Sequence, residues 1–400
     1  MSGTTPGSVR RVRALPVARR SPAPDLARGA ALLLIAVANA HTFVHDRGIG
    51  VRGYPQDLAG ADAVLAAVQL LLVDGRAYPL FGVLFGYGIA MLARRRTEWG
   101  QIAGEPVVAL VRRRGAALFG IGSAHAILLW SGDIAAAYGL LAILLAGLLV
   151  RGSTVALVST AVGTIAVSCL LYLPVATTSA DVASGTPSTV TDSATAAATA
   201  RFGEWLFGFL PINALALAGA VAIGVLLARA GWLDDPVRYR RQLARTAAAG
   251  IGAGVLGGLP LALVAAGIWA PGTAAGLLAG PVQALSGYAA GVGYAAAAGL
   301  IAARWAGRGG PGPLGAALLA TGQRSLSAYL AQSIAFVALF PAWTLGLGSG
   351  LPVWAATLCG VGVWAVTVLV ATASDRAGLR GPAETLLRAL TYGRGARSAA

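Results

Sequence analysis

Residues 112–150 read RRRGAALFGIGSAHAILLWSGDIAAAYGLLAILLAGLLV, and this stretch decides the fold class. Two apolar runs, 115–131 and 134–150, flank a break at Gly132–Asp133. Each run holds about 17 residues, the lower end of what a helix needs to cross a hydrocarbon core of roughly 30 Å. Three arginines precede the first run and Arg151 follows the second, which puts both ends on the cytoplasmic side by the positive-inside rule. The stretch reads as a transmembrane hairpin. His125 lies within its first arm and Asp133 at its turn, and an ionisable group at membrane depth is a candidate for function by default.

Working outward, the composition agrees. Of 400 residues 57% are hydrophobic and 11% charged, with a mean hydropathy of +0.73. A soluble domain carries about 25% charged residues, so an all-α integral membrane protein is expected. The net charge of +15 is carried by arginine, without a single lysine, and clusters at the ends of apolar runs. That placement signals topology and attraction to a lipid bilayer, with no nucleic acid as partner. Cys169 and Cys359 fall inside apolar runs and read as small buried hydrophobes. No CxxC spacing suggests a structural metal.

Apolar runs near 28–45, 77–93, 115–131, 134–150, 155–175, 205–230, 246–269, 281–305, 323–343 and 352–373 predict about ten transmembrane helices. The segment near 61–75 is short and bounded by Asp62 and Asp74. If it spanned, the arginine triplets at 94–96 and 112–114 would face outward. As a re-entrant or interfacial segment it leaves both termini cytoplasmic in the plasma membrane, with Arg47, Arg52, Arg76 and Arg201 outside. The chain then divides into a disordered basic arm (1–24), an N-terminal transmembrane bundle (25–175), a flexible external loop rich in Thr, Ser and Ala (176–204), a C-terminal transmembrane region (205–394) and a tail (395–400). Neither an internal repeat nor a pair of broken helices is apparent, which counts against a transporter.

Several residues stand at spacings that could carry chemistry. Asp25 and Arg28 can pair three apart on one helix face. His41 and His45, four apart, would share a face near the outer end of the same span, about 20 Å of rise from Arg28. Ser325, Tyr329 and Gln332 share a face of a later span. Each set has a structural reading beside the functional one: helix-end capping, interfacial hydrogen bonding and interhelical hydrogen bonding. No G-x-S-x-G elbow accompanies the serines, and nothing of the HExxH kind accompanies the histidines.

Five blocks together resemble a known family. They are Asp25-Leu-Ala-Arg28-Gly29 with Asn39, Gly75-Arg76 through Phe81 to Gly86 and Gly88, and the run from His125 through Trp130-Ser-Gly132-Asp133 to Tyr138. Gly322-Gln-Arg-Ser325 through Tyr329 to Gln332, and Gly381-Pro382-Ala-Glu384 through Tyr392-Gly393, complete the set. This pattern is similar to the YeiB-like membrane proteins, which carry the domain of unknown function 418. It spans residues 25–393, leaving the 176–204 loop unmatched.

That family is in turn distantly similar to multi-span membrane acyltransferases. The resemblance implies an O- or N-acyltransferase with acyl-CoA as co-substrate, no bound cofactor, and an envelope glycan or lipid as acceptor. Asp25, Arg28, Arg76, Trp130, Tyr138, Ser325, Tyr329 and Gln332 would bind substrate. His41, His45 or His125 would act as general base, with Asp133 orienting it and Asn39 donating to the oxyanion. Two alternatives stay open: a transporter or exporter component using His125 and Asp133 without covalent chemistry, and a structural envelope protein.

Overall fold

Proline and glycine set many of the helix ends. Proline opens α1 (Ala23–Ala40), and left-handed glycines close others further along. The computed structural model describes residues 21–98, 105–176, 179–183 and 185–393. Most of the expected basic arm (1–20) and the tail (395–400) lie outside the described residues.

After α1 come α2 (Gly60–Leu72), α3 (Ala77–Glu98), α4 (Glu105–Leu128), α5 (Ala135–Leu144), α6 (Ala146–Arg151) and α7 (Thr154–Leu171). Two short helices, α8 (Pro187–Val190) and α9 (Ala194–Gly203), lead through a π-turn at Glu204–Phe209 into α10 (Leu210–Ala230). The chain finishes with α11 (Arg240–Ala265), α12 (Thr273–Ala306), α13 (Pro313–Gln323), α14 (Ser325–Leu339), α15 (Val353–Arg376) and α16 (Pro382–Tyr392). The strands are β1 (Gly48–Ile49) and β2 (Ser179–Ala183), paired antiparallel.

Among the described residues, seven helical segments are long and apolar enough to cross a membrane, and α5 and α14 are shorter apolar helices. The burial pattern is that of a bundle in lipid. Val155, Leu369 and their neighbours on α7 and α15 face outward, whereas Arg76, His125 and Asp133 are enclosed. Lipid tails compete with apolar side chains, so close backbone approach must hold such helices together. Glycine allows it: a Cβ on Gly29 would overlap the Leu318 carbonyl, and one on Gly322 the Asp25 carbonyl, joining α1 to α13. Gly86 and Gly224 lock α3 to α10 in the same reciprocal way.

One end of the bundle is rich in arginine. There Arg94 and Tyr87 both donate to Asp234 in the α10–α11 loop, and Arg324 pairs with Asp375 at 3.0 Å. The opposite end carries His41, the two strands, and the loop 340–352.

The structure sharpens the expectation for 61–75. Helix α2 starts beside α15, where Trp354 N donates to Asp62 at 2.9 Å. Its 13 residues rise about 20 Å, less than a full crossing. It ends against Gly254 and Gly258 inside α11, and α3 continues from there to the arginine-rich end. The pair is thus one passage broken at Val73–Arg76. Carbonyls left without helical partners at such a break must be met by protein. Gln283 donates to Leu70 O and Asp74 O, both at 3.1 Å, Tyr294 donates to Leu72 O at 2.7 Å, and Arg76 also donates to Asp74 O.

Two other expectations differ from the structure. The helix that begins at Ala23 passes through a single 3-10 turn, His41–Phe43, and has ended before His45, so the two histidines do not share a helix face. The Thr- and Ser-rich loop carries β2, α8 and α9 over its described part. It is fastened by Glu204, which accepts from Ser188 N and Oγ at 2.9 Å and from Ser131 Oγ at 2.6 Å. Composition understates this order because the anchoring carboxylate lies at the loop's last residue.

Candidate functional site

The α4–α5 turn builds the first buried polar centre. Helix α4 ends at Leu128, and the backbone reverses through Leu129–Ile134 before α5 begins. Gly122 sits against Ala136 N where any larger residue would overlap it, which draws the two arms together. His125 and Asp133, three per cent or less exposed, then meet: Nδ1 lies 2.7 Å from Asp133 Oδ2.

An ionised carboxylate only accepts, so Nδ1 donates in this contact; in the neutral imidazole the lone pair then falls on Nε2. The carboxylate is itself fixed. Its Oδ1 accepts from Ala136 N at 2.6 Å, in the first turn of α5, and its Oδ2 also accepts from Tyr329 Oη at 3.3 Å. Tyr329 Oη accepts from Ile134 N at 3.4 Å, and its ring lies 4.9 Å from the His125 ring. Asn213 Nδ2 holds the Asp133 carbonyl at 3.3 Å. His125 Nε2 is buried with no hydrogen-bond partner among the described residues. A fixed imidazole with a free Nε2 and a buried carboxylate behind it is the arrangement of a general base.

The α2–α3 break builds the second centre. Tyr54 Oη donates to Asp74 Oδ2 at 2.5 Å and lies 3.1 Å from Gln69 Oε1, and the His41 ring stacks on the Tyr54 ring at 4.0 Å. Burial and the neighbouring Asp74 push the Tyr54 phenol well above its usual range. Arg76, fully enclosed, donates to Gly254 O at 2.6 Å. Arg52 reaches in from the loop and lies 4.9 Å over the Tyr172 ring. Burial pulls its proton affinity down, but Tyr172 and Asp74 outweigh that and raise it.

The remaining sequence candidates fall elsewhere. Asp25 and Arg28 pair at 2.9 Å at the arginine-rich end, where Arg28 also donates to Leu84 O. His45 Nδ1 lies 2.9 Å from Asp46, whose side chain is 56% exposed. Ser349 Oγ and the His45 ring hold the Asp46 carboxyl below its usual range. Asn39 is half-buried, and its backbone carbonyl accepts from Thr42 Oγ1. Trp130 is buried against Phe43, with ring centroids 4.5 Å apart.

Tyr138 stacks on Phe85, Gln332 donates to Leu32 O at 3.4 Å, and Ser325 opens α14 half-buried. The structure therefore brings His125, Asp133 and Tyr329 together, and separately His41 with Arg76's helix break. The three histidines are not gathered, and among the described residues no group of three His, Cys, Asp or Glu could hold a metal.

Sequence reasoning missed Tyr54, Gln69, Asp74, Gln283 and Glu204 as site members. Asp74 beside Gly75 was the available signal: a charge next to a left-handed glycine (φ 76°) inside an apolar stretch. The C-terminal motif blocks meet for a structural reason. Glu384 accepts from Leu326 N, Ser327 N and Ser327 Oγ, capping the start of α14.

Residues 227–394 match the family described as "Protein of unknown function (DUF418)". The chain is 31% identical over 126 residues to the "Uncharacterized protein YxaH" of Bacillus subtilis (strain 168). That match covers 30% of this chain and 30% of the relative, so it spans less than a third of the relative's length. The hairpin with His125 and Asp133 lies outside the family match, and Gln283, Arg324, Tyr329 and Glu384 lie within it.

Proposed function

Starting from an all-α membrane protein with a DUF418 region at residues 227–394, we propose that it transfers an acyl group from cytoplasmic acyl-CoA to a hydroxyl or amine of an envelope glycan or lipid. The observation that carries this reading is the buried His125–Asp133 pair with its unpartnered Nε2. In the reaction Nε2 takes the proton of the acceptor as its oxygen or nitrogen bonds to the thioester carbonyl carbon. The C–S bond then breaks, and the leaving thiolate recovers the proton from the imidazolium. Asp133 stabilises the imidazolium while it exists, and Tyr329 positions Asp133. His45 is a weaker base candidate because its carboxylate partner stands in solvent, where orientation and charge are screened.

Donor phosphates would meet Arg28 and Arg114 at the arginine-rich end, where the two guanidiniums lie within electrostatic reach of each other. Arg114 and His125 are eleven residues apart on α4, about 16 Å of rise. An extended pantetheine arm bridges that separation. The test is transfer of labelled acyl groups from acyl-CoA to a membrane extract by protein in liposomes, wild type against His125→Gln. The reading expects transfer in the wild type and a loss of about 100-fold or more in the folded variant. Equal transfer by both proteins, or none by the wild type, overturns it.

One observation favours a second reading, transport. A helix broken near the middle of the bundle, with buried charge at the break, is where many transporters hold cargo. Unaltered solute flux without acyl transfer would favour it.

A further inference from the structure

We infer that the α2–α3 break is a binding site for a singly charged phosphate group, separate from the His125 centre and independent of the proposed acyl transfer. Three buried polar atoms around the break have no hydrogen-bond partner among the described residues: Arg76 Nε, Gln283 Oε1 and His41 Nδ1. Arg76 and Gln283 adjoin, because both donate to Asp74 O. The Gln283 amide is fixed in orientation, since its Nε2 already serves two carbonyls. What remains at this spot is one guanidinium N–H seeking an acceptor and one amide oxygen seeking a donor. His41 is one side chain further out, across Tyr54 and Asp74.

The charge balance selects an anion. Arg52 and Arg76 lie within electrostatic reach of each other and of Asp74, leaving one positive charge uncompensated. In a low-dielectric interior an uncompensated charge is costly unless a ligand neutralises it. A dihydrogen-phosphate or phosphomonoester monoanion carries that single charge, with oxygens to accept from Arg76 Nε and a hydroxyl to donate to Gln283 Oε1. A chloride ion lacks the donor, and a simple carboxylate lacks it too.

Arg52 is the entry residue. It is partly buried and held at φ 59°, ψ 21°, a left-handed conformation that costs a non-glycine residue energy and clusters at ligand clamps. Its guanidinium lies over the Tyr172 ring and within electrostatic reach of Asp74 at the break.

The group could belong to a phospholipid or to a free phosphate. The experiment is calorimetric titration of the full-length protein in an uncharged maltoside detergent, with inorganic phosphate in one arm and dihexanoyl phosphatidic acid in the other. Wild type, Arg52→Gln and Arg47→Gln are compared, each verified as folded by its tryptophan emission. Arg47 is the control: it belongs to the same loop but bonds Asp57 at 2.8 Å on the outside.

Saturable binding of either probe, weakened at least tenfold by Arg52→Gln and unchanged by Arg47→Gln, supports the site. The arm that responds identifies the source. Absence of binding in both arms, equal affinity in Arg52→Gln, or equal weakening by Arg47→Gln overturns it.

Discussion

Asp133 and Asp74 are both buried aspartates at breaks in membrane helices, yet they sit at opposite kinds of helix end. Asp133 precedes α5 and accepts from a first-turn N–H, so the positive end of the helix dipole supports its charge. It needs only His125 and Tyr329 besides. Asp74 follows α2, where orphan carbonyls make the surroundings negative. That end is tolerable only with Arg76, Gln283 and Tyr294 donating to its carbonyls and Tyr54 to its carboxylate. The same residue type therefore serves two purposes. At a helix start the backbone carries the charge and leaves a histidine nitrogen free for chemistry. At a helix end the protein must import cations, and the surplus becomes a place to hold an anion.

This contrast can be broken from either side. The largest stability effect is expected at the negative end. Arg76→Leu removes its bonds to Asp74 O and Gly254 O and leaves buried backbone carbonyls short of a donor, which costs about 1–3 kcal/mol. Thermal unfolding in detergent measures it, and a loss below about 1 kcal/mol would mean that Arg76 does not support the break. Asp133→Asn should act on chemistry more than on folding. It keeps the shape but removes the charge that orients and stabilises His125, so acyl transfer should fall by about 100-fold or more with a small change in melting.

Smaller effects sharpen the picture. Tyr329→Phe deletes one hydrogen bond to Asp133 and should cost about 0.5–1.5 kcal/mol in transition-state stabilisation, read as kcat/KM. Glu384→Gln should lower stability by about 1 kcal/mol through the weakened α14 cap, leaving transfer intact. Ser325→Ala should change stability by less than about 0.5 kcal/mol, since Ser325 stands apart from both centres.

The legibility of the two centres in the sequence differs for a physical reason. His125 and Asp133 are eight residues apart, and the hairpin pattern that reveals the fold also places them side by side. Tyr329 was visible as part of a polar face, though not as a partner of Asp133, because 196 residues separate them. The second centre depends wholly on long-range contacts: Gln283 lies 209 residues from Asp74, and Tyr294 lies 222 from Leu72. Hydropathy marks 61–75 as too short to cross, but periodicity carries no record of what covers a broken end. The one broken passage the structure shows is not visible as such in the sequence, because α2 and α3 read separately as one fragment and one complete span. The four-residue spacing of His41 and His45 suggests helix neighbours, but the helix stops at the 3-10 turn that begins at His41.

The central claim is that Asp133 fixes His125 with its proton on Nδ1 and its lone pair on Nε2. Nitrogen-15 solid-state spectra of histidine-labelled protein in liposomes test it directly, with His125→Gln assigning the signal among three histidines. The account predicts that neutral His125 carries its proton on Nδ1 in the wild type, and a mixture of tautomers in Asp133→Asn. A His125 protonated at Nε2 in the wild type, or one unaffected by Asp133→Asn, would contradict it.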